Sequence, residues 1–258
     1  RDKSRLNSVF VKFLYSLLNT CKNHSMQKVF VLHTRPYRET SLLIEVLSES
    51  FGRLGLLARG VRSAKSSKKG MLQPFMPLIM EWKGKGDLPT VTQVENDGCP
   101  VFLTGNLLIS GFYINEIIMR LVHRHEAVES IFHLYGKTLR DLSAIELSAL
   151  PRTLRHFEKH LLDELGYGLS LQHDIKTHRL IERDKRYYYF HERGFIEEAA
   201  CTESSLNHSL SFTGQDLLAI AADDYSSPST LAAAKILLKQ ALHPLLGDKP
   251  LQSRELWR

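Results

Sequence analysis

Cysteine is scarce in this chain of 258 residues: Cys21, Cys99 and Cys201 are the whole supply, an odd number at wide separations. A disulfide framework is thereby excluded, as is any Cys-x-x-Cys metal or redox pair, and the usage fits a reducing, cytoplasmic setting. Long apolar runs are missing too, and nothing approaches the roughly 20 residues of a membrane span. Signatures of catalysis are equally lacking. No Gly-x-Ser-x-Gly elbow occurs, and no carboxylates pair in an apolar setting. Gly136-Lys137-Thr138 ends like a phosphate-binding loop, but that loop's first glycine position holds Ile131 in a helical pattern. Ser66 and Lys69 have Ser-x-x-Lys spacing on a charged loop too flexible to hold a nucleophile in register. The chain reads as a protein that is not an enzyme and needs no cofactor.

What is present is charge, unevenly placed. The formal net charge is +6. Residues 1–28 hold six basic side chains and one acidic, residues 29–90 ten and five, residues 91–258 eighteen and twenty-two. A basic front and a mildly acidic back point to a polyanion bound at the front. Residues 1–25 read as an extension before a start at Met26, outside the core fold, with Leu6, Val9, Phe10 and Phe13 spaced for a short amphipathic helix. A secretory signal fits poorly, since Lys12 breaks the apolar stretch and no small-residue cleavage pattern follows.

Between residues 26 and 100 the punctuation is that of strands. Val29–Leu32, Ser41–Leu47, Leu54–Arg59, Pro77–Trp82 and Thr90–Val94 are short, partly β-branched or aromatic, and separated by Gly, Pro or Ser. Five such strands in so little chain predict a closed barrel of the OB-fold type, because closure removes exposed edges. From 101 to 258 the period becomes helical. Helices are expected along the stripe Leu107 to Leu121, over Ala127–Leu142, from Glu146 to a glycine cap at Gly166, from a Thr213 cap to Ala222, and from Pro228 to His243. A small hairpin, Arg186–His191 with Phe195–Glu198, interrupts them at about 178–200. The fold class is α+β: a five-stranded barrel, then a helical domain carrying a small β-hairpin.

The segment Gly52–Gly70 carries Arg53, Arg59, Arg62, Lys65, Lys68 and Lys69 with no acid between them. A flexible basic loop can follow an irregular phosphate backbone and release counterions as it binds. Arg35, Arg38, Lys83 and Lys85 extend this set, and Tyr37, Phe51, Phe75 and Trp82 are candidate stacking platforms. Phe75, between Pro74 and Pro77, reads more readily as a packing anchor. On the third helix, His156, His160 and Glu164 share one face at spacings of four and offer a metal-dependent nucleic-acid enzyme as the rival reading, although Arg155 and Lys159 beside them repel a cation. A plain RNA-binding barrel without further activity is the other alternative.

The ordered stretches RPYRETS (Arg35–Ser41), GRLGLLARGVRS (Gly52–Ser63), LQPFMPL (Leu72–Leu78), SGFYINEIIMRL (Ser110–Leu121), LRHFEKHLLDELGYGL (Leu154–Leu169), GFIEE (Gly194–Glu198), FTGQDL (Phe212–Leu217) and KPLQSREL (Lys249–Leu256) resemble the RecO family of bacterial recombination mediators, gamma-proteobacterial in type. The resemblance implies an N-terminal OB-fold, a central helical domain and a C-terminal region returning against the helices. It implies binding of single- and double-stranded DNA, strand annealing, and loading of RecA with RecR on DNA coated by the single-stranded DNA-binding protein, in the RecF pathway at the nucleoid. It also implies a pocket for that protein's acidic, phenylalanine-ended tail. By position in the motif, Arg155 is the expected ionic partner of the tail, with Arg152 and Lys159 as helical neighbours. Many relatives carry a four-cysteine zinc module. Cys201 alone follows Cys99 here, so no metal is expected, and the hairpin takes that module's place by packing.

Overall fold

The computed structural model describes residues 26–63, 66–84, 86, 88–191, 193–201 and 210–257. The expected N-terminal helix therefore lies outside the described residues. The chain divides into two compact units, one formed by the described residues up to Phe102 with His123–Phe132, the other by Leu103–Val122 with the chain from His133.

The first unit is built on five strands: β1 (Gln27–Tyr37), β2 (Ser41–Ser48), β3 (Gly52–Ala58), β4 (Pro77–Lys83) and β5 (Thr90–Asn96). They close in the order β1-β2-β3-β5-β4. Every pairing is antiparallel except β3 with β5, which is parallel and meets at Leu57 and Thr90. This is the OB-fold closure. The alternation that marks a half-buried strand is cleanest in β4, where Leu78, Met80 and Trp82 point inward and their neighbours do not. Val29, Val31, Ile44, Val46, Leu54 and Leu56 fill the rest of the barrel. β1 is buried on both faces from Val29 to Leu32, and the outward Phe30 ring meets Phe132 at 5.1 Å. Gly52 is required at the start of β3. Its φ is +67°, and a Cβ there would lie 1.9 Å from the Glu126 carbonyl oxygen. That close approach lets His125 N–H donate to the Arg53 carbonyl at 3.0 Å and brings the Arg124 backbone beside Arg53.

In the second unit, α1 (Gly105–Leu121) and the part of α2 (Glu129–Ala144) from His133 onward face each other through a buried hydrogen bond, Tyr135 OH donating to Asn115 Oδ1 at 2.7 Å. A short 3-10 turn at Leu147–Ala149 precedes α3 (Leu150–Glu164), so that helix starts at Leu150, later than Glu146, with Pro151 in its first turn. The hairpin is a three-stranded sheet. β6 (Arg186–Phe190) is central, with β7 (Gly194–Glu197) on one side and β8 (Leu210–Thr213) on the other. Tyr187, Tyr189, Phe195 and Phe212 form its buried face. Asp174 staples it. Burial works against the Asp174 carboxylate, but the N–H groups of Glu197, Thr177 and Lys176 outweigh that and hold its pKa below the usual carboxylate value.

Thr213 caps α4 (Gly214–Ala221), accepting from Asp216 N–H at 3.1 Å. α5 (Pro228–Leu246) runs one turn beyond the expected His243, through Pro244. The chain then returns on α1. Glu116 accepts from the N–H groups of Gln252 and Ser253 and from the Ser253 hydroxyl, at 3.0, 2.9 and 2.8 Å. Arg120, paired with Glu116 at 2.7 Å, donates to the carbonyls of Lys249 and Pro250. Among the described residues no helix is long and apolar enough to cross a membrane.

Candidate functional site

Two surfaces, one in each unit, collect the residues that the sequence singles out. On the barrel, Arg35, Arg38, Arg59, Arg62 and Lys83 are exposed and Lys68 is half-buried. Arg38 terminates β1 with a φ of +51° and its guanidinium stands 5.3 Å over the Tyr37 ring. Arg62 donates to the Arg38 carbonyl at 3.1 Å, tying the loop after β3 to the β1–β2 turn. Lys68 donates to the Thr92 carbonyl on β5 at 3.4 Å, and Lys83 pairs with Glu81 at 3.4 Å. Lys65 and Lys85 lie outside the described residues, as does the side chain of Lys69.

Arg53 behaves differently from the others. Its side chain is only 17% exposed and donates to Glu45 at 3.3 Å. The same carboxylate takes Arg124, from the segment that Gly52 admits against β3. Beside this triad is a pocket of about 240 Å³, lined by His33, Arg35, Glu45, Gly55 and Arg124 among others. His33 and Arg124 are missed by the sequence reading, because Arg124 lies some 70 residues beyond β3 and no local pattern links them. The stacking platforms need correction. Phe75 and Trp82 are 4% and 8% exposed, and Trp82 packs edge-on against Phe51 at 5.4 Å in the barrel core. Phe75 is a packing anchor, and only Tyr37 stands near the surface cations.

In the second unit a groove of about 830 Å³ runs between α1, α3, α5 and the returning C-terminal segment. Its floor is apolar: Leu150, Leu154, Leu231, Leu242, Leu246 and Leu251. Its cations are Arg155, Lys235, Lys239 and Lys249, and His243 lines it beside them. Such a groove suits an apolar residue followed by, or ending in, negative charge. Arg155 is at the wall, donating from Nη2 to Glu158 Oε1 at 2.7 Å; the same oxygen accepts the Tyr113 hydroxyl at 2.6 Å. Arg152 is exposed on the same helix and does not line the groove. Lys159 is turned elsewhere: it is 8% exposed and donates to Asp223 Oδ1 at 2.9 Å and to the Ala221 carbonyl at 3.0 Å. Lys235, Lys239 and His243 went unread. Their spacing of four along one helix is a signal that could have found them.

The metal reading is rearranged by the fold. His156 and His160 stack with ring centres 4.2 Å apart, and Asp223, not the exposed Glu164, joins them. His160 Nε2 lies 3.0 Å from Asp223 Oδ2. Burial opposes ionisation of Asp223, but Lys159 and His160 overcome it and hold its pKa below the usual range. Burial and the neighbouring His160 push His156 below the ordinary histidine value. The carboxylate is thus already neutralised by an ammonium, which makes the cluster a poor cation trap.

The chain is similar to known proteins over most of its length. A family model described as "Recombination protein O N terminal" matches residues 24–96, and one described as "Recombination protein O C terminal" matches residues 104–255. A protein of Coxiella burnetii named DNA repair protein RecO is 42% identical over 236 residues, 91% of this chain and 98% of that protein. Proteins of the same name from Pectobacterium atrosepticum and Pasteurella multocida are 42% and 41% identical, spanning 90% of this chain in each case and 92% and 93% of their own lengths.

Proposed function

The chain belongs to the recombination protein O (RecO) family of DNA repair proteins, and on that premise we propose that it is a recombination mediator that binds and anneals DNA without turning over a substrate. In this reading the barrel domain, residues 26–100, holds phosphates of single- and double-stranded DNA. Arg35, Arg38, Arg59, Arg62, Lys68 and Lys83 make the contacts, with Lys65, Lys69 and Lys85 adding charge from the same connections. Arg53 acts indirectly through Glu45. The helical domain, residues 101–258, receives the acidic tail of the single-stranded DNA-binding protein, with Arg155 as the carboxylate partner and Arg152 as a neighbouring charge. RecR and RecA act with it on coated strands, at the nucleoid.

The observation that carries the proposal is the groove itself: a leucine floor beside a guanidinium and three lysines fits a peptide that ends in a phenylalanine carboxylate. The test is annealing of complementary strands pre-coated with the single-stranded DNA-binding protein. The chain should anneal strands coated by the intact protein and fail on strands coated by one lacking its tail. Equal annealing in both cases removes the groove from the mechanism.

A further inference from the structure

Arg155 is not a free surface cation. Its side chain is 12% exposed, and its partner Glu158, three residues on in α3, is 1% exposed. One carboxylate oxygen, Oε1, receives both Arg155 Nη2 at 2.7 Å and the Tyr113 hydroxyl from α1 at 2.6 Å. All three side chains line the groove. A guanidinium offers five donors in a planar fork, and holding one edge on a fixed carboxylate sets the plane of the whole group. A long side chain that is already ordered loses less freedom when a ligand arrives.

We propose that Glu158 is a positioning residue for carboxylate recognition: with Tyr113 it anchors the Arg155 guanidinium so that the remaining donors meet the terminal carboxylate of an acidic peptide. This rests on the groove reading above and gives it a specificity. Arg155 recognises the chain-terminal carboxylate, while negative charge elsewhere in the peptide is left to the lysines. Arg155 can serve two carboxylates at once because its donors point along different edges; a lysine, a point charge, could not keep that geometry.

The experiment measures binding of two labelled peptides ending in Asp-Ile-Pro-Phe, one with a free C-terminal carboxylate and one amidated. They are titrated against the full chain, Glu158→Gln, Tyr113→Phe, Arg155→Ala and the Glu158→Gln/Arg155→Ala double variant. Glu158→Gln should weaken the free acid about tenfold and the amide less than about twofold. Tyr113→Phe, which keeps the charge pair, should show the same preference at about two- to threefold. The double variant should bind no more weakly than Arg155→Ala alone, because Glu158 acts through Arg155. Equal losses on acid and amide, additive losses in the double variant, or tighter binding by Glu158→Gln would each overturn the assignment. Should Glu158→Gln fail to fold, the acid-to-amide ratio of Tyr113→Phe decides. Failure of the unaltered chain to bind the free acid would instead overturn the groove reading, and this inference with it.

Discussion

On the barrel, Arg35, Arg59 and Arg62 stand exposed, Arg35 on β1 and the other two after β3, where Arg62 reaches the Arg38 carbonyl. In the helical unit, Arg155 is nearly enclosed and paired with a carboxylate that water hardly touches. The two surfaces therefore answer to different physics. Exposed cations lose little solvation on meeting a phosphate, bind through counterion release, and carry little information about what they bind. An enclosed guanidinium pays its desolvation during folding and can discriminate one carboxylate from another. The mediator role proposed above has use for both: sequence-independent grip on DNA, and selective recognition of the protein that coats it.

Salt should separate the two surfaces by the widest margin. Single-strand affinity should fall about a hundredfold between roughly 50 and 200 mM salt, as expected for about five phosphates neutralised on a single strand. Binding of the acidic peptide should change only a few-fold, because its central ion pair is screened little by bulk ions. Replacing Arg59, Arg62 and Lys68 with Ala should reduce the log–log salt slope for single-stranded DNA by about 2 while leaving peptide affinity unchanged. Parallel salt slopes for the two ligands, measured by anisotropy titration, would break the contrast.

A medium effect is expected where the C-terminal segment walls the groove. Burial alone would raise the Glu116 pKa, but the Ser253 and Gln252 N–H groups, the Ser253 hydroxyl and Arg120 outweigh it and hold the carboxyl below its ordinary 4.5. A carboxyl with a depressed folded-state value gives stability that is present in full above the ordinary value and lost as pH falls through the lowered one. Glu116→Gln should therefore destabilise the chain by about 1 to 2 kcal/mol near neutral pH, measured by urea unfolding. The difference from the unaltered chain should shrink as pH drops below 4.5. Peptide binding should weaken with it, since Pro250 and Leu251 would lose their hold on the groove, whereas DNA binding should not respond. A constant difference across that pH range would mean that Glu116 acts by shape and not by charge.

How much of this was legible in the sequence differs between the units for a physical reason. The barrel strands alternate with period two and are cut by Gly and Pro, so Ser41–Ser48 and Pro77–Lys83 were nearly complete from pattern alone. The helices were legible too, because buried residues recur every three or four positions. What failed depends on contacts remote in sequence. β8 pairs with β6 across some 20 residues, and its four residues hold too little pattern to announce a strand. Trp82 looked like a stacking platform because an aromatic beside lysines reads alike on either face of a strand; only closure of the barrel turned it inward. Lys159 looked like a neighbour of Arg155, yet four positions of helix carried it toward Asp223, on a turn some 60 residues away. Arg155 lay within the motif, but Glu158 drew no notice, since a Glu three residues after an Arg is ordinary on a solvated helix and distinctive only when buried.

The smallest effect should come from the groove's rim. Lys235 and Lys239 line it from α5 without the enclosure that Arg155 has. They should act as the barrel cations do, steering an acidic peptide inward and then contributing little once it is seated. Lys235→Ala with Lys239→Ala should therefore weaken the peptide only about two- to fivefold at low salt, nearly all of it in the association rate, and the deficit should vanish near 0.5 M salt. The amidated peptide should lose as much as the free acid, because rim charges respond to the acidic side chains and not to the terminus. Stopped-flow association at two salt concentrations checks this. A deficit confined to the dissociation rate and to the free acid would make the lysines partners of Arg155, and the division between a diffuse and an enclosed mode of anion binding would then run through the groove itself.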